Sequence, residues 1–169
     1  MWQRTRFFGL VAAALIGTSM LTPVPGLAQD AHATAEATYR DIQATLGIVP
    51  GFFRQLPESG IAGAWAEFKA VQLNPKTELS GKVKELVGLA VAAQVPCTYC
   101  VYFHTAAAKA NGATDGEIRE AIAMAAIVRH WSTVLNGSQV DLATFKGEVD
   151  MVLRLAGEKA KAAAVTAKK

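Results

Sequence analysis

The sequence predicts an all-α fold, a single-domain bundle of about six helices that assembles into an oligomer. Three observations carry this. Apolar residues recur at three- and four-residue spacing in almost every periodic segment. No stretch alternates with period two over a useful length, so no sheet is expected. One segment, ending near Asn136-Gly137, is apolar on most of its surface and needs cover from several sides, from its own domain or from a neighbouring subunit.

The elements follow in order. Ala31 to Leu46 carries Tyr39, Ile42 and Leu46 at helical spacing, and Gly47 stands where a left-handed cap ends a helix. Ile48 to Gly51 is extended, because Pro50 disfavours helix at Val49. Phe52, Phe53 and Leu56 form a short apolar knot. A second helix spans Pro57 to Leu73, with Ile61, Trp65, Phe68 and Leu73 inward, and Asn74-Pro75 stops it. Ser80 is the expected N-cap of a third helix reaching Gln94 or Val95, whose Val83, Leu86, Val87, Ala90 and Val91 read as a buried stripe. Pro96 interrupts, and a fourth helix begins near Cys97 and ends at Asn111-Gly112. Thr114 and Glu117 form a capping box for the fifth helix, in which Ile118, Ile122, Met124, Ile127, Val128, Trp131 and Val134 supply the apolar surface. A last helix spans roughly Leu142 to Leu155. Trp65 and Trp131 read as core, His130 as a core or interface histidine, and His32 as solvated.

Not all of the 169 residues belong to that bundle. Residues 1–28 read as a secretory signal peptide: Arg4 and Arg6, an apolar run from Phe7 to Leu21, helix breakers from Thr22 to Gly26, and small residues Gly26 and Ala28 before the cut. The apolar run is shorter than the ~20 residues a spanning helix needs, so no stable membrane association is expected after cleavage. Arg4 and Arg6 are not adjacent, which gives no support to a twin-arginine signal. The expected location is periplasmic or secreted. The remaining organisation is a helical domain at 29–156 and an Ala/Lys-rich tail at 157–169, solvated or a frayed helix end. Without Arg4 and Arg6 the 17 basic residues become 15 against 14 acidic ones, a net charge of +1. A near-neutral chain without a basic run in its body gives no reason to expect nucleic acid.

The chemistry is concentrated in Pro96-Cys97-Thr98-Tyr99-Cys100-Val101-Tyr102-Phe103-His104. These are the only two cysteines, and they lie three apart. A bridge that short restricts the unfolded chain little, so the spacing points to redox chemistry or metal binding rather than to a structural staple. On a helix, Cys97, Cys100 and His104 share one face. Unpaired amides at a helix start stabilise a thiolate, as does a nearby imidazolium. His104, one turn beyond Cys100, can exchange a proton with it. Glu85 stands among Leu86, Val87 and Leu89 on the third helix, where a carboxylate buried alone is costly. It either orients His104 and relays protons or is solvated beside Lys82 and Lys84.

Glu85, Cys97-x-x-Cys100 and His104, in this order and spacing, resemble the alkylhydroperoxidase D-like branch of the carboxymuconolactone decarboxylase family. The resemblance takes in Leu46 to Pro50 and the stretch from Ala110 to Ile118, and extends from about Leu46 to Asn136. It implies an all-helical fold, a homo-oligomer (trimer or hexamer), no bound cofactor, a hydroperoxide substrate and a thiol or dithiol reductant protein. It implies Cys100 as the peroxidatic thiol, Cys97 as the resolving thiol, and Glu85 and His104 as the proton relay. Two departures stand out. Peroxidase members often carry a histidine just before the second cysteine, where this chain has Tyr99, a phenol that titrates too high to act as a base near neutral pH. The family's reductants are cytosolic lipoyl proteins, so an exported protein needs another electron source. The helix-start argument by itself favours Cys97 as the nucleophile, whereas the resemblance favours Cys100. The residues leave two further readings open: a zinc site on Cys97, Cys100, His104 and Glu85, awkward for a closed tetrahedron because three ligands share one helix, and a non-catalytic exported module with a resting disulfide. Lactone decarboxylation is the family's other chemistry, but those members are not marked by the cysteine pair.

Overall fold

The computed structural model describes residues 25–167, and among them are six α-helices and no strand. They are α1 (Pro25–Leu46), α2 (Glu58–Glu67), α3 (Gly81–Gln94), α4 (Thr98–Ala110), α5 (Asp115–Gly137) and α6 (Leu142–Thr166). A 3-10 turn at Gly51–Gln55 precedes α2, and a π-helical segment, Phe68–Leu73, follows it. The expected signal peptide lies largely outside the described residues. Helix α1 begins at Pro25 rather than Ala31. Proline is tolerated in a first helical turn because its missing N–H would have had no partner there. Helix α6 runs eleven residues past Leu155, through the alanine-rich tail, because alanine is the strongest helix former.

The described residues fall into two compact units, one ending at Lys69 and the other starting at Ala70. In the first, α1 packs on α2. Its core is Ala35, Tyr39, Ile42, Phe53, Ile61 and Trp65, with Val49 and Phe68 against it. The Trp65 indole donates to Asp41 Oδ2 at 2.6 Å, and Lys69 Nζ reaches the same carboxylate at 2.9 Å. Lys69 foremost, then Trp65, holds the Asp41 carboxyl below its ordinary range. Gly47 closes α1 at φ 82°, a left-handed conformation that glycine adopts without a Cβ penalty. His32 is exposed, as expected, and bonds Glu58 through Nδ1 at 2.9 Å, a partner that raises its pKa.

In the second unit α3 packs against both α4 and α5. Ser80 caps α3, its side chain accepting from the Val83 amide. The capping box of α5 is complete: Thr114 accepts from the Glu117 amide at 3.1 Å, and Glu117 Oε2 accepts from the Thr114 amide at 2.7 Å. Two polar links tie α3 to α5. Lys82 Nζ meets Glu117 Oε1 at 2.7 Å near one end, and Gln94 Nε2 donates to the Ala125 carbonyl at 2.6 Å near the other, where Arg129 Nε donates to Gln94 Oε1.

Burial on these helices departs from expectation. Helix α3 buries Glu85, Leu89 and Ala92, whereas Val83, Val87 and Val91 are exposed. The helix is apolar nearly all round, so periodicity alone did not fix which face turns inward. On α5 only Ile118 and Ala125 are buried. Trp131, expected in the core, is 54% exposed on the chain by itself, with its ring edge-on to that of His130. Leu46 and Leu73 are likewise exposed, Leu73 because the chain leaves α-helical register at Phe68.

Thr114→Ala is expected to lower the unfolding free energy by about 1 kcal/mol, read by urea denaturation at neutral pH. Lys82, foremost, and the Thr114 amide hold the Glu117 carboxyl below its ordinary 4.5. Its stabilising contribution is therefore present above that value and is lost as pH falls through the depressed one. The same denaturation series should show stability declining below pH 4.5, and a flat profile there would separate Glu117 from the anchoring of α5.

Candidate functional site

The sequence between α3 and α4 brings the chemistry together. Helix α3 ends at Gln94, Pro96 cannot continue it, and the Cys97 amide turns back to the Ala92 carbonyl at 3.1 Å. That tight return lays α4 against α3. Cys97 is the N-cap of α4, and its Sγ accepts from the Cys100 amide at 3.2 Å. Cys97 and Cys100 are joined in a disulfide, with Cα atoms 5.2 Å apart. The pair is thus placed for disulfide redox chemistry. Both cysteines are half-buried, whereas Tyr99 between them is 89% exposed and Tyr102 and Phe103 are exposed as well.

One turn beyond Cys100, His104 Nδ1 lies 2.7 Å from Glu85 Oε2. Glu85 is 5% exposed. The solvated alternative for Glu85 is therefore overturned: Lys82 and Lys84, beside it in sequence, are engaged elsewhere, Lys82 on Glu117 and Lys84 on the carbonyls of Val71 and Asn74. A carboxylate at Glu85 accepts from a protonated Nδ1 of His104, and in the neutral imidazole that tautomer has Nε2 as its acceptor nitrogen.

Two residues of this arrangement carried no signal in the sequence. Gln72, at the end of the π-helical segment, places Nε2 at 3.1 Å from Glu85 Oε1 and 3.4 Å from Oε2. Gly88, one turn after Glu85 on α3, faces the imidazole so closely that an added Cβ would fall on Cε1, Nδ1 and Nε2 of His104. Nothing in the residue pattern marks either, because a glutamine near a helix end and a glycine within a helix each have many other uses. Among the described residues no cluster of three or more histidine, cysteine and acidic side chains is arranged to hold a metal, and sulfurs bonded to each other are not thiolate ligands.

Comparison with known proteins agrees with this geometry. The Carboxymuconolactone decarboxylase family pattern matches residues 60–141, a span that holds Glu85, both cysteines and His104. Among solved structures, the alkylhydroperoxidase AhpD core from Rhodospirillum rubrum is similar at 25% identity and a TM-score of 0.58, with 75% of this chain and 95% of that chain covered. No curated protein sequence matches.

Gly88→Ala tests the fit of the imidazole. Alanine is the better helix former by roughly 1 kcal/mol, so the helix itself should persist. The ring should be pushed off Glu85, with loss of the downfield imidazole N–H proton resonance that the hydrogen bond produces. Retention of that resonance in a folded Gly88→Ala protein would show that the ring does not depend on the missing Cβ.

Proposed function

We propose, from the premise that this chain carries a carboxymuconolactone decarboxylase family domain of the alkylhydroperoxidase D-like branch, that it is a thiol-dependent peroxidase working through Cys97 and Cys100. The observation that supports this best is the buried Glu85 bonded to His104, one helical turn from Cys100. A carboxylate set behind an imidazole beside a thiol is the arrangement of a proton relay. In the reaction, the Cys100 thiolate attacks the terminal peroxide oxygen. The O–O bond breaks, the alcohol leaves with a proton passed through His104, and Cys100 becomes a sulfenic acid. Cys97 attacks that sulfur, water leaves, and the disulfide forms. A dithiol reductant protein then returns two electrons and two protons. No resident cofactor enters the cycle.

The disulfide state described here is the oxidised end of such a cycle. The chain's exported location is part of the same proposal, which calls for an electron donor outside the cytosol. Assembly belongs to it too. The exposed apolar side chains of α5, including Ile127, Val128 and Trp131, and of α6, including Val152 and Leu153, call for cover that this chain does not supply. A second copy of the chain is the proposed cover, in a trimer or hexamer.

The two cysteines are expected to fail differently. Cys97→Ser should react once with peroxide and leave a trappable sulfenic acid on Cys100, whereas Cys100→Ser should consume none above background. Glu85→Gln and His104→Gln should each slow the first step by about 10²–10⁴-fold, the usual size of lost acid–base assistance. Tyr99→His should speed turnover. Rapid-mixing peroxide consumption with sulfenic-acid trapping reads all five variants. A live Cys100→Ser with a dead Cys97→Ser would reverse the assignment in favour of the helix-start cysteine. Reaction no faster than a free peptide thiol would leave the inert module as the better account. For assembly, light scattering at micromolar concentration should return an oligomer, and a monomer there would remove the proposed cover.

A further inference from the structure

We propose that Gln72 is a positioning residue of this site, brought into place by the π-helical turn, and that it orients the Glu85 carboxylate toward His104. The inference rests on the thiol-redox reading above only where reactivity is measured. A glutamate's terminal torsion is broad, with no strong preference to hold the carboxylate plane. A hydrogen bond from His104 to Oε2 alone leaves that plane free to rock about a single contact. Gln72 Nε2 supplies a second donor, near both oxygens at 3.1 and 3.4 Å. Only the amide nitrogen suits this position, since the amide oxygen would set acceptor against acceptor.

The backbone explains how Gln72 arrives. From Phe68 to Leu73 the chain winds with i→i+5 bonding, which rotates Gln72 away from the direction α-helical winding would give it. The end of this segment is fastened by the neighbour of Glu85 itself: Lys84 Nζ donates to the Val71 carbonyl at 2.6 Å and the Asn74 carbonyl at 2.8 Å. Consecutive α3 residues thus hold the turn and receive its glutamine. Other charged side chains near this unit's helix ends have partners of their own: Lys82 with Glu117, Lys109 with Asp115, and Arg129 with Gln94. Among the hydrogen bonds and ion pairs of the described residues, Glu85 meets Gln72 and His104.

The test uses the full-length protein with Gln72→Met, which keeps length and removes the donor, and Gln72→Glu, which donates only when it shares a proton with Glu85. Two readouts are taken. One is the His104 imidazole N–H proton resonance in the oxidised protein. The other is the rate of alkylation of the reduced cysteines by iodoacetamide across pH. Gln72→Met should lose the resonance and slow alkylation by roughly ten- to a hundredfold, the size of a lost hydrogen bond to a charged group. Gln72→Glu should track the wild type at acid pH and fall behind it as pH rises, because two adjacent carboxylates cannot both ionise freely. A merely structural role would lower stability and leave the shape of the pH profile alone. If Gln72→Met does not fold, the Gln72→Glu profile decides, and a pH-independent ratio to the wild type overturns the inference. Retention of both resonance and profile in Gln72→Met overturns it too. If the wild type fails to reduce peroxide while Gln72→Met still loses the resonance, the positioning role stands and the peroxidase reading falls.

Discussion

A carboxylate taken out of water must be compensated by donors, and the second unit is arranged around that requirement at Glu85. Left alone among Leu86, Val87 and Leu89, its charge would cost several kcal/mol, about what burying an unpaired polar or ionic group costs. Compensation comes from three directions. His104 donates from α4, Gln72 donates from the π-helical turn, and Gly88 gives up a side chain so that the imidazole can reach. The tight return at Pro96 sets α4 against α3 and so determines where His104 falls. Disturbing any one of these leaves a buried acceptor short of a partner, which is why the residues of this corner act as a unit.

Much of this was legible from local rules. Ser80 and the Thr114–Glu117 pair announced the starts of α3 and α5, because side-chain capping is a contact between residues three apart and depends on nothing distant. The i, i+3, i+7 spacing of Cys97, Cys100 and His104 put them on one helical face for the same reason. The apolar neighbours of Glu85 in sequence drew attention to it but left burial and solvation both open, and it is the packing of α3 that buries it. Nothing drew attention to Gln72 or Gly88. What matters about Gln72 is a change of helical pitch just before it, and what matters about Gly88 is the absence of an atom. Neither leaves a pattern in one sequence.

The misjudged burial has a different origin. Periodicity reports how apolar each face of a helix is, not which face this chain covers. Helix α3 is apolar nearly all round, so the stripe from Val83 to Val91 was assigned inward although the chain buries Glu85, Leu89 and Ala92. Trp131 was placed in the core because a tryptophan on an apolar helix usually is, yet α5 turns Ile118 and Ala125 inward and leaves Trp131 outside. Helix α6 outran its expected end because alanine propensity needs no packing to extend a helix.

The sulfur of Cys97 belongs to two structures at once: it is half of the disulfide, and it caps α4 by accepting the Cys100 amide. The bridge to Cys100 holds the capping atom in place, and a Cys97 side chain released from it is free to rotate its sulfur away from the amide. Any reaction that opens the pair would thus be felt in the first turn of α4, and hydrogen exchange at the Cys100 amide is the place in the backbone to read it.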